Sequence, residues 1–551
     1  MKILVIGAVA AGTSAAAKAR RNNEEAEIVI YERDTHISYS GCGMPYYIGG
    51  EVENGEALTP RNPEFFRSKY NVNIRTEHEV QKIDKDKKEV EVKNLITGEV
   101  FTDHYDKLIL TTGARSVIPP IKGVEHKHVF SLRNINDMYK IKHHIIQKSP
   151  KSAVIVGTGF IGLEMAENLK GLGIEVTMVE LLPQVSPGLD EDMAFLVEKH
   201  LIEKGVRVIT GKSANEITES QVILSDGRKL SGELVIMATG VRPNVELAKE
   251  IGIEIGETGA IKVNNCMETS EKDIYAAGDC LEQYHSITMK PVYRPLGSTA
   301  NKTGRMAGYN ATGGRLEFRG VLGTGIYKIF DLTVGQTGLT EKEARKEGYD
   351  ISVSHNIKPD RPEYMGGKEM VIKSIADKKD GRLLGVQIIG PEGVDKRVDV
   401  FVSLITFGAK VQDLVHLDLA YAPPFSTTKD PVMYTGMIQE NAIFGNRPLL
   451  TDHELEELVA SGKKVKIIDT RVKKQFETSH LEDAVNLPHA KVRENIDMLD
   501  RDVITVTYCN KGTTGNAVQN ILLNKGVSKV YNLSGGHKAY EWYQLLKKKT
   551  K

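Results

Sequence analysis

The sequence predicts a multidomain α/β protein, because one strand–helix–strand pattern occurs twice and the pattern of predicted secondary structure then changes at two further points. The pattern starts at KILVIG and again at KSAVIVG, each time with a buried strand, a helix and a second apolar strand. From about Gly323 the chain becomes strand-rich, and after GNRPLLTD a helix and short strands begin again. We therefore expect two βαβ domains, an α+β domain and a small, separate C-terminal α/β domain.

Length and composition narrow the class of protein. The 551 residues suffice for three or four domains of about 150 residues. The 73 basic and 73 acidic residues cancel, so no net charge attracts nucleic acid or an anionic membrane. No apolar run approaches the roughly 18 residues of a membrane span. Four scattered cysteines exclude a disulfide scaffold. We expect a cytoplasmic protein without nucleic-acid or membrane partners, and no metal site is predicted.

The second βαβ unit carries a complete nucleotide-binding motif, G-x-G-x-x-G, directly after its strand. Gly157 permits a tight turn, Gly159 lets the backbone approach a pyrophosphate, and Gly162 allows close helix–strand packing. The helix that starts there, at Phe160-Ile161, offers its N-terminal amides to phosphate. Glu180 ends the next strand, where a carboxylate accepts hydrogen bonds from ribose and repels a 2′-phosphate. The unit is therefore predicted to bind NADH in preference to NADPH.

The first unit departs from this motif. Gly7 and Gly12 occupy the outer positions, but Val9 stands where the middle glycine is expected. Ala10 and Ala11 nevertheless place only small side chains at the start of the helix. Glu32, followed by Arg33, ends the next strand, at the distance from the glycines where the motif has its acidic residue. We call each of these glycine turns, with the start of the helix that follows it, a cradle. Two cradles in one chain suggest a tightly held redox cofactor and an exchanging nicotinamide, an arrangement that passes hydride through a flavin.

Three later segments, LILTTGA, LVIMATGVRPN and DIYAAGDC, follow in an order that resembles the flavoprotein disulfide reductases with two dinucleotide-binding domains. The resemblance covers about residues 1–440. It implies FAD in the first cradle, with Asp279 on the flavin's ribitol, and NAD(P)H in the second. The predicted cofactor-binding residues are Gly7, Val9, Ala10, Ala11, Gly12, Glu32, Arg33, Thr112, Gly113, Gly157, Gly159, Phe160, Ile161, Gly162, Glu180, Gly240, Gly278 and Asp279.

Cys42, in ISYSGCGMPYYIGG, is the candidate redox thiol. Many members of the family carry two cysteines here as C-x4-C, but this chain has no second cysteine nearby. A single thiol must alternate between thiolate and a bond to an outside sulfur, or between thiolate and sulfenic acid. The following Gly43, Met44 and Pro45 predict that Cys42 starts a helix, whose N-terminus lowers the thiol pKa. The alternative is a buried structural cysteine.

The segment resembles the single-cysteine branch of coenzyme A-disulfide reductases, NADH oxidases and NADH peroxidases. Similarity to the coenzyme A enzymes implies substrate contacts at Ser14, Lys18, Arg21, Ser38, Asn301 and Lys429. It also implies that Tyr364 and Tyr421 reach the active site from the other subunit of a homodimer, where a phenol can protonate a departing thiolate. A charged helix face and structural tyrosines are the alternatives. Ala10, where oxidases and peroxidases carry a histidine, argues against peroxide reduction.

The last domain contains IIDTR, HLEDAVNLP, TYCNKGTTG and LSGGHKAYEWY, which resemble the rhodanese, or sulfurtransferase, fold. Cys509 ends a strand and opens a Gly/Thr-rich loop that can wrap backbone N–H groups around the sulfur, stabilising thiolate and persulfide. Lys511 is the only fixed charge in this loop, which disfavours thiosulfate and other dianionic donors. A catalytically silent rhodanese fold is the alternative.

The expected domains are an FAD-binding domain (1–149 and 266–322), an NAD(P)H-binding domain (150–265), a dimerisation domain (323–446) and a rhodanese-like domain (450–551). The predicted function is NAD(P)H-dependent reduction of coenzyme A disulfide, coenzyme A persulfide or polysulfide through Cys42, with Cys509 handling sulfane sulfur. One alternative is an NADH oxidase or peroxidase that cycles Cys42 through sulfenic acid. Another is a redox-sensing flavoprotein with slow turnover. A plain dehydrogenase would not need two cradles.

Overall fold

The computed structural model describes residues 1–496 and 500–550, which form two compact units. The first contains Met1–Pro183 and Gly205–Val321. The second contains Gln184–Lys204 and the described residues from Leu322 onward. Among the helices described, none is both long and apolar enough to cross a membrane.

The first unit contains a five-stranded parallel sheet built around the N-terminal strand. Its strands, in spatial order, are Ile274–Ala276, Lys107–Leu110, Lys2–Ile6, Glu27–Tyr31 and Asn73–Arg75. The accompanying helices are Ala10–Asn22, Pro63–Tyr70 and Gly297–Ala311. Helices 10–22 and 297–311 pack closely because Gly304 and Gly308 lack side chains. A Cβ at these positions would lie 2.2 and 2.0 Å from the carbonyl oxygens of Ala11 and Ala15.

A second parallel sheet in the same unit confirms the predicted repeat. Its strands are, in order, Arg207–Ile209, Glu175–Val179, Ser152–Val156, Leu234–Met237 and Val129–Ser131. The helices that accompany it are Phe160–Gly171, Ile135–Lys148 and Glu246–Glu250. Antiparallel strands complete the unit: His78–Asp84, Glu89–Asn94 and Val100–His104; Ala214–Ile217, Gln221–Leu224 and Lys229–Ser231; Ala114–Ser116 with Val241–Pro243; and Gln283–Tyr284 with Pro291–Val292.

The second unit opens with an antiparallel sheet of five strands. In spatial order they are Gly325–Ile329, Leu332–Gly338, Leu383–Gly390, Glu369–Asp377 and Ile351–Pro359. The helices of this part are Glu191–Glu203, Glu341–Lys346, Val394–Thr406 and Pro431–Ile443. The strand-rich texture predicted from Gly323 onward is confirmed, together with the helix after Gly390.

The C-terminal domain has a parallel sheet of its own. Its strands are, in order, Leu449–Leu450, Val530–Leu533, Ile504–Tyr508, Val465–Asp469 and Val485–Asn486. Its helices are Asp452–Ala460, Lys473–Thr478, Thr513–Asn524 and Gly536–Thr550.

The C-terminal domain forms one compact unit with the preceding α+β domain. The backbone N–H of His355 donates to Ser534 Oγ at 2.7 Å, and the His355 ring lies 2.7 Å from Asp192 Oδ2. Asp192 in turn lies 2.9 Å from the buried Lys373 ammonium. A buried polar network therefore joins the two sheets of this unit.

Candidate active site

The second cradle has the geometry that a pyrophosphate requires. Gly157 has a φ of 104°, and a Cβ there would lie 2.3 Å from the Ala238 carbonyl oxygen. A Cβ on Gly162 would lie 2.2 Å from the Gly157 oxygen, whereas one on Gly159 would meet only open space. Helix 160–171 has no acidic residue in its first turn. The backbone is thus open where a phosphate would approach, so the residues present fit a dinucleotide.

Glu180 is buried at the end of its strand, in a fixed orientation. Its Oε2 accepts hydrogen bonds from the Thr158 backbone N–H at 2.9 Å and from the Thr158 hydroxyl at 2.7 Å. Its Oε1 accepts from the Leu182 N–H at 3.0 Å. A carboxylate has lone pairs left beyond these three bonds, so Glu180 can still accept from a ribose.

The first cradle repeats this geometry despite Val9. Gly7 has a φ of 102°, and a Cβ on Gly12 would lie 1.8 Å from the Gly7 oxygen. Glu32 Oε2 accepts from the Ala8 N–H at 2.7 Å. Val9 immediately precedes helix 10–22, whose first turn also has no acidic residue. These residues fit a second dinucleotide.

The segment around Asp279 packs against the start of helix 10–22, as expected if both hold one cofactor. A Cβ on Gly278 would lie 2.8 Å from the Cβ of Ala11. The Asp279 carboxylate forms an ion pair with Arg133 at 2.8 Å, and its carbonyl oxygen accepts from the Tyr293 hydroxyl at 2.8 Å. The sequence did not single out Arg133, which is distant along the chain and lies in no recognised motif.

The two predicted hinge segments pair with each other. Thr112 Oγ1 donates to the Asn244 carbonyl oxygen at 2.6 Å, and Asn244 Nδ2 donates to the Thr112 oxygen at 2.8 Å. The Asn244 N–H also donates to Gly113, and the Val117 N–H to Gly240, both at 2.9 Å. The two hinge segments, which connect the parts of the unit that carry the two cradles, are therefore hydrogen-bonded to each other.

Cys42 is exposed and lies in a short 3₁₀ turn, Gly41–Gly43, directly before the helix Met44–Gly49. The prediction that its pKa is lowered is wrong for the protein alone. Partial desolvation by surrounding atoms raises the pKa of Cys42, and the carboxyl groups of Glu164 and Asp279 raise it further. Glu164 is on helix 160–171 and Asp279 is in the second FAD segment. The Cys42 turn leads directly into helix 44–49, which packs against helix 160–171 of the second cradle at Gly49 and Asn168.

Glu164 is a site residue that the sequence analysis missed. Burial, together with the neighbouring Glu167, raises the pKa of Glu164 to about 7. The helix that carries it packs tightly against helix 44–49, because a Cβ on Gly49 would lie 2.0 Å from Asn168 Oδ1. The available signal was an acid two residues after Gly162, within the otherwise apolar start of a cradle helix.

The structure brings together some of the predicted substrate residues. Asn301 Nδ2 donates to Ser14 Oγ at 2.8 Å, across helices 297–311 and 10–22. Lys18 Nζ lies 4.4 Å from the centre of the Tyr309 ring. Arg21 instead donates to the Tyr70 hydroxyl at 3.1 Å. Ser38 has a φ of 47° and donates its N–H to the Ala8 oxygen at 2.9 Å.

The two candidate tyrosines belong to the second unit, and both are exposed. Tyr364 is 76% exposed and Tyr421 is 49% exposed. The buried Arg397 ties their segments together, donating to the Asp360 carbonyl oxygen at 2.7 Å and to Asp430 Oδ2 at 2.8 Å. Lys429, next to Asp430, is also exposed.

Cys509 lies almost buried at the end of strand 504–508 and is 6% exposed. The His537 N–H donates to the Cys509 carbonyl oxygen at 2.8 Å, and the Lys538 N–H donates to Asn510 at 3.1 Å. Gly512, with a φ of 90°, turns the chain into helix 513–524. Two lysines outside the loop, Lys358 and Lys538, lie near it and were missed by the sequence analysis.

No cluster of three or more His, Cys, Asp or Glu side chains suited to a metal ion occurs in residues 1–496 and 500–550.

Comparisons with known proteins agree with this architecture. Residues 1–300 match the family model described as pyridine nucleotide-disulphide oxidoreductase. Residues 326–431 match the dimerisation domain of that family, and residues 451–542 match the rhodanese-like domain.

Two curated relatives are similar over 78% of this chain and 97% of their own length. One, named NADH oxidase, is from Methanocaldococcus jannaschii and is 39% identical over 438 residues. The other, named NAD(P)H coenzyme A polysulfide/persulfide reductase, is from Pyrococcus horikoshii and is 37% identical over 437 residues.

Two solved structures match almost the whole chain. The structure of reduced Bacillus anthracis CoADR-RHD has a TM-score of 0.96 and 37% identity, and the match covers 98% of each chain. An NAD-dependent persulfide reductase from A. fulgidus has a TM-score of 0.90 and 36% identity, over 98% of this chain and all of the other. The chain therefore belongs to the pyridine nucleotide-disulphide oxidoreductase family and is an FAD- and NAD(P)H-dependent disulfide reductase with a C-terminal rhodanese-like domain.

Proposed function

We propose that this chain forms a homodimeric reductase that uses NADH to split sulfur–sulfur bonds of coenzyme A disulfide, coenzyme A persulfide or polysulfide. The observation that carries the proposal is the position of Cys42. The Cys42 turn follows the first cradle and leads into helix 44–49, which packs against helix 160–171 of the second cradle, and the charges of Glu164 and Asp279 both oppose ionisation of the thiol. An exposed thiol at that position can receive electrons from a flavin and still meet a substrate from outside. The names of the Pyrococcus horikoshii and A. fulgidus relatives point to the same substrate class.

Each cofactor has a set of residues to hold it. Gly157, Gly159, Gly162 and Glu180 bind NADH, and the Glu180 carboxylate disfavours the extra phosphate of NADPH. The first cradle and Asp279 bind FAD. When bound, FAD relays the electron pair of the nicotinamide to sulfur.

The chain's own thiol performs the bond exchange. The Cys42 thiolate attacks one sulfur of the substrate, so that a new S–S bond forms while the substrate's S–S bond breaks and its second sulfur leaves with the electron pair. Tyr364 and Tyr421 of the other subunit protonate the leaving sulfur, and their exposure suits residues that a second subunit covers. The residues that bind the coenzyme A nucleotide and pantetheine are Ser14, Lys18, Arg21, Ser38, Asn301 and Lys429.

Cys509 accepts sulfane sulfur as a persulfide, which links the rhodanese-like domain to the chemistry at Cys42. Its buried sulfur and the surrounding loop suit an anionic persulfide. A sulfur atom held there is in the oxidation state that the reductase site consumes. If Cys509→Ser leaves turnover of every persulfide substrate unchanged, this link is wrong.

The decisive experiment is anaerobic stopped flow with the FAD-loaded enzyme. NADH with coenzyme A disulfide should yield two thiols per NADH, and mass spectrometry should find coenzyme A bound to Cys42. Cys42→Ser should abolish thiol release while NADH still reduces the flavin, because the cradles are intact. Cys266→Ser serves as the control, since that thiol lies in no motif.

The similarity to a protein named NADH oxidase supports a second candidate function. In that case NADH consumption requires oxygen, needs no sulfur acceptor and leaves sulfenic acid on Cys42. Fast aerobic turnover without thiol release would overturn the proposal in favour of the oxidase. Negligible turnover with every acceptor would favour the redox-sensing flavoprotein.

A further inference from the structure

We propose that Lys358, a residue of the α+β domain, completes the sulfur site of the rhodanese-like domain by forming, with Lys511 and Lys538, a cationic site that receives an anionic sulfane-sulfur donor at Cys509. The proposal deepens the proposed function and rests on the assignment of Cys509 as the acceptor of sulfane sulfur. We call these three lysines the lysine triad.

Lys358 is held in place by contacts with two other elements of the same unit. It lies near the end of strand 351–359, opposite Met370 of the neighbouring strand. Its Nζ donates to the Thr513 hydroxyl at 3.1 Å, at the first residue of the helix that follows the Cys509 loop. The same Nζ lies 4.3 Å from the centre of the Tyr434 ring. The ammonium is thus fixed between an aromatic face and the loop.

The hydrogen bond to Thr513 places the Lys358 ammonium at the end of the Cys509 loop. Burial lowers the pKa of Lys358, and the negative charge of an ionised Cys509 raises it. Among the described residues, no carboxylate forms an ion pair with Lys358. A half-buried ammonium without a carboxylate partner, close to a cysteine, is suited to stabilise a negative charge on that sulfur.

Lys511 and Lys538 form the rest of the triad and share a single acid. Both ammonium groups pair with the Glu369 carboxylate, one with each oxygen. Burial lowers the pKa of Lys511, and the charges of Lys538 and Lys358 lower it further, which shows that the three lysines lie close together. The triad therefore has three positive charges against the paired carboxylate of Glu369, while the more distant charges of Glu363 and Glu541 also act on Lys511 and Lys538.

Arg471, the arginine beside the Cys509 loop, is engaged mainly within the domain. Its Nε donates to Asp469 Oδ1 at 3.0 Å and one terminal nitrogen donates to Asp469 Oδ2 at 2.6 Å, while the other terminal nitrogen lies 3.4 Å from Asn510 Oδ1. The Tyr508 hydroxyl donates to the same carboxylate at 2.7 Å. Since Asp469 neutralises Arg471, the positive charge at the Cys509 loop comes from the triad. One of its three lysines, Lys358, lies outside the rhodanese-like domain.

The ligand class follows from the charges of the reaction. The Cys509 thiolate attacks the outer sulfur of a donor such as a persulfide anion, R–S–S⁻, or thiosulfate. The Cys509–sulfur bond forms, the donor's S–S bond breaks, and the thiolate R–S⁻ or sulfite leaves with the electron pair. Two anions must meet in this step, and no outside oxidant or reductant is needed. The sequence argued against dianionic donors because the loop carries one lysine; Lys358 and Lys538 remove that objection.

The test uses full-length, FAD-loaded protein carrying Cys42→Ser, so that sulfur transfer reports on Cys509. Thiosulfate and glutathione persulfide are the donors, and peptide mass spectrometry measures both Cys509 persulfide and the pH dependence of Cys509 alkylation. Lys358→Gln should slow alkylation of Cys509 near pH 7 and raise the donor KM, each by about tenfold, because a positive charge beside the reacting sulfur is lost. Lys358→Arg should restore both to within about twofold.

Two further variants separate the proposal from a structural effect. Glu369→Gln should lower the donor KM, because it frees Lys511 and Lys538 from their acid. Lys378→Gln should change nothing, because it removes an exposed lysine at the opposite end of the same pair of strands, about 27 Å away at about 3.4 Å per residue.

Each outcome decides the question. An unchanged alkylation profile and KM in Lys358→Gln, or an unchanged KM in Glu369→Gln, overturns the role of the triad. If Lys358→Gln does not fold, Lys511→Gln and Lys538→Gln, whose side chains are 40% and 38% exposed, must show the loss instead.

A larger effect on thiosulfate than on glutathione persulfide identifies an inorganic donor, and the reverse identifies a thiol persulfide. If Cys509 accepts sulfur from neither donor, the proposed function of Cys509 is wrong. The alkylation profile still tests whether Lys358 affects the reactivity of Cys509.

Discussion

At the scale of the residue, Cys42 shows what local sequence can and cannot predict. Its isolation from other cysteines and its position after the first cradle were evident from the sequence. Its electrostatic surroundings were not, because Glu164 and Asp279 come from distant parts of the chain. The same holds for Cys509, whose loop is recognisable in sequence while Lys358 lies on a strand of another domain. Motifs identify the reacting atoms, but only the fold identifies the charges around them.

Glu164 makes the reactivity of Cys42 depend on pH. The pKa of Glu164 is raised to about 7, so this carboxyl is mostly neutral below pH 7 and places a negative charge beside the thiol above it. That charge opposes ionisation of Cys42. We expect Glu164→Gln to move the alkylation profile of Cys42 to lower pH and to speed alkylation at pH 8 about three- to tenfold, because one negative charge that opposes the thiolate is removed. Peptide mass spectrometry of the FAD-loaded enzyme measures this rate.

Glu51→Gln is the matched control for Glu164→Gln. Glu51 is exposed and acts on Tyr46, the neighbour of the Cys42 turn, but it is not among the charges that act on the thiol. Its removal should leave the Cys42 profile in place. An unchanged profile in Glu164→Gln as well would show that the carboxyl has no electrostatic effect on Cys42.

At the scale of the element, the βαβ repeats were predictable because their signals are local. A buried apolar strand, a glycine turn and a small-residue helix follow one another within each unit. Strand 351–359 alternates Ile351, Val353 and Ile357 with polar residues, which is the pattern of a strand with one face buried. The sequence does not reveal that the polar face is buried as well, with Ser352, Ser354 and Asn356 all nearly inaccessible. Their partners, such as Ser374 for Ser354 at 2.8 Å, come from other elements.

The contact between helices 44–49 and 160–171 fixes the Cys42 turn relative to the second cradle. Gly49→Ala would place a methyl group 2.0 Å from Asn168 Oδ1, and overpacking of this kind costs about 1–3 kcal/mol. We expect a lower Tm and an altered Cys42 alkylation rate, measured by thermal unfolding and peptide mass spectrometry. Adding Asn168→Ala should relieve part of the clash, since only the Cβ at 2.8 Å remains, and should move the alkylation rate back toward that of the wild type.

Gly171→Ala provides the control for this contact. Gly171 ends the same helix with no heavy atom within 4 Å of its built Cβ. Alanine there should leave the alkylation rate unchanged and should not lower the Tm. If Gly49→Ala behaves like Gly171→Ala, the helix contact does not determine the position of Cys42.

At the scale of the whole molecule, the residues group into two compact units, whereas the sequence predicts four domains. The rhodanese-like domain belongs to one unit with the α+β domain, and Lys373 and His355 of the α+β sheet both bond to Asp192. The sequence could not predict this union, because GNRPLLTD has the composition of a linker. In the structure the segment supplies a strand, Leu449–Leu450, at the edge of the C-terminal sheet. The union also gives Lys358 its place beside the Cys509 loop.

Asp452 should make the stability of the second unit fall as pH rises. Burial raises the pKa of Asp452 well above 3.8, and Asp192 and Glu456 raise it further. Between the unfolded and folded pKa values, the unfolded carboxyl is ionised while the folded one resists ionisation, so rising pH favours unfolding. Asp452 Oδ1 also has no hydrogen-bond partner among the described residues.

Asp452→Asn removes this penalty without changing the shape of the side chain. We expect the Tm of the second unit to rise by at least about 2 °C at pH 8, since 1 kcal/mol corresponds to about 2–4 °C in a unit of this size. The gain should shrink toward pH 4, where the unfolded carboxyl also keeps its proton. Differential scanning calorimetry across this pH range measures both effects. Asp502→Asn, at an exposed position of the same domain, should give no gain at any pH. A gain for Asp452→Asn that does not vary with pH would mean that ionisation of this buried carboxyl does not weaken the union of the two domains.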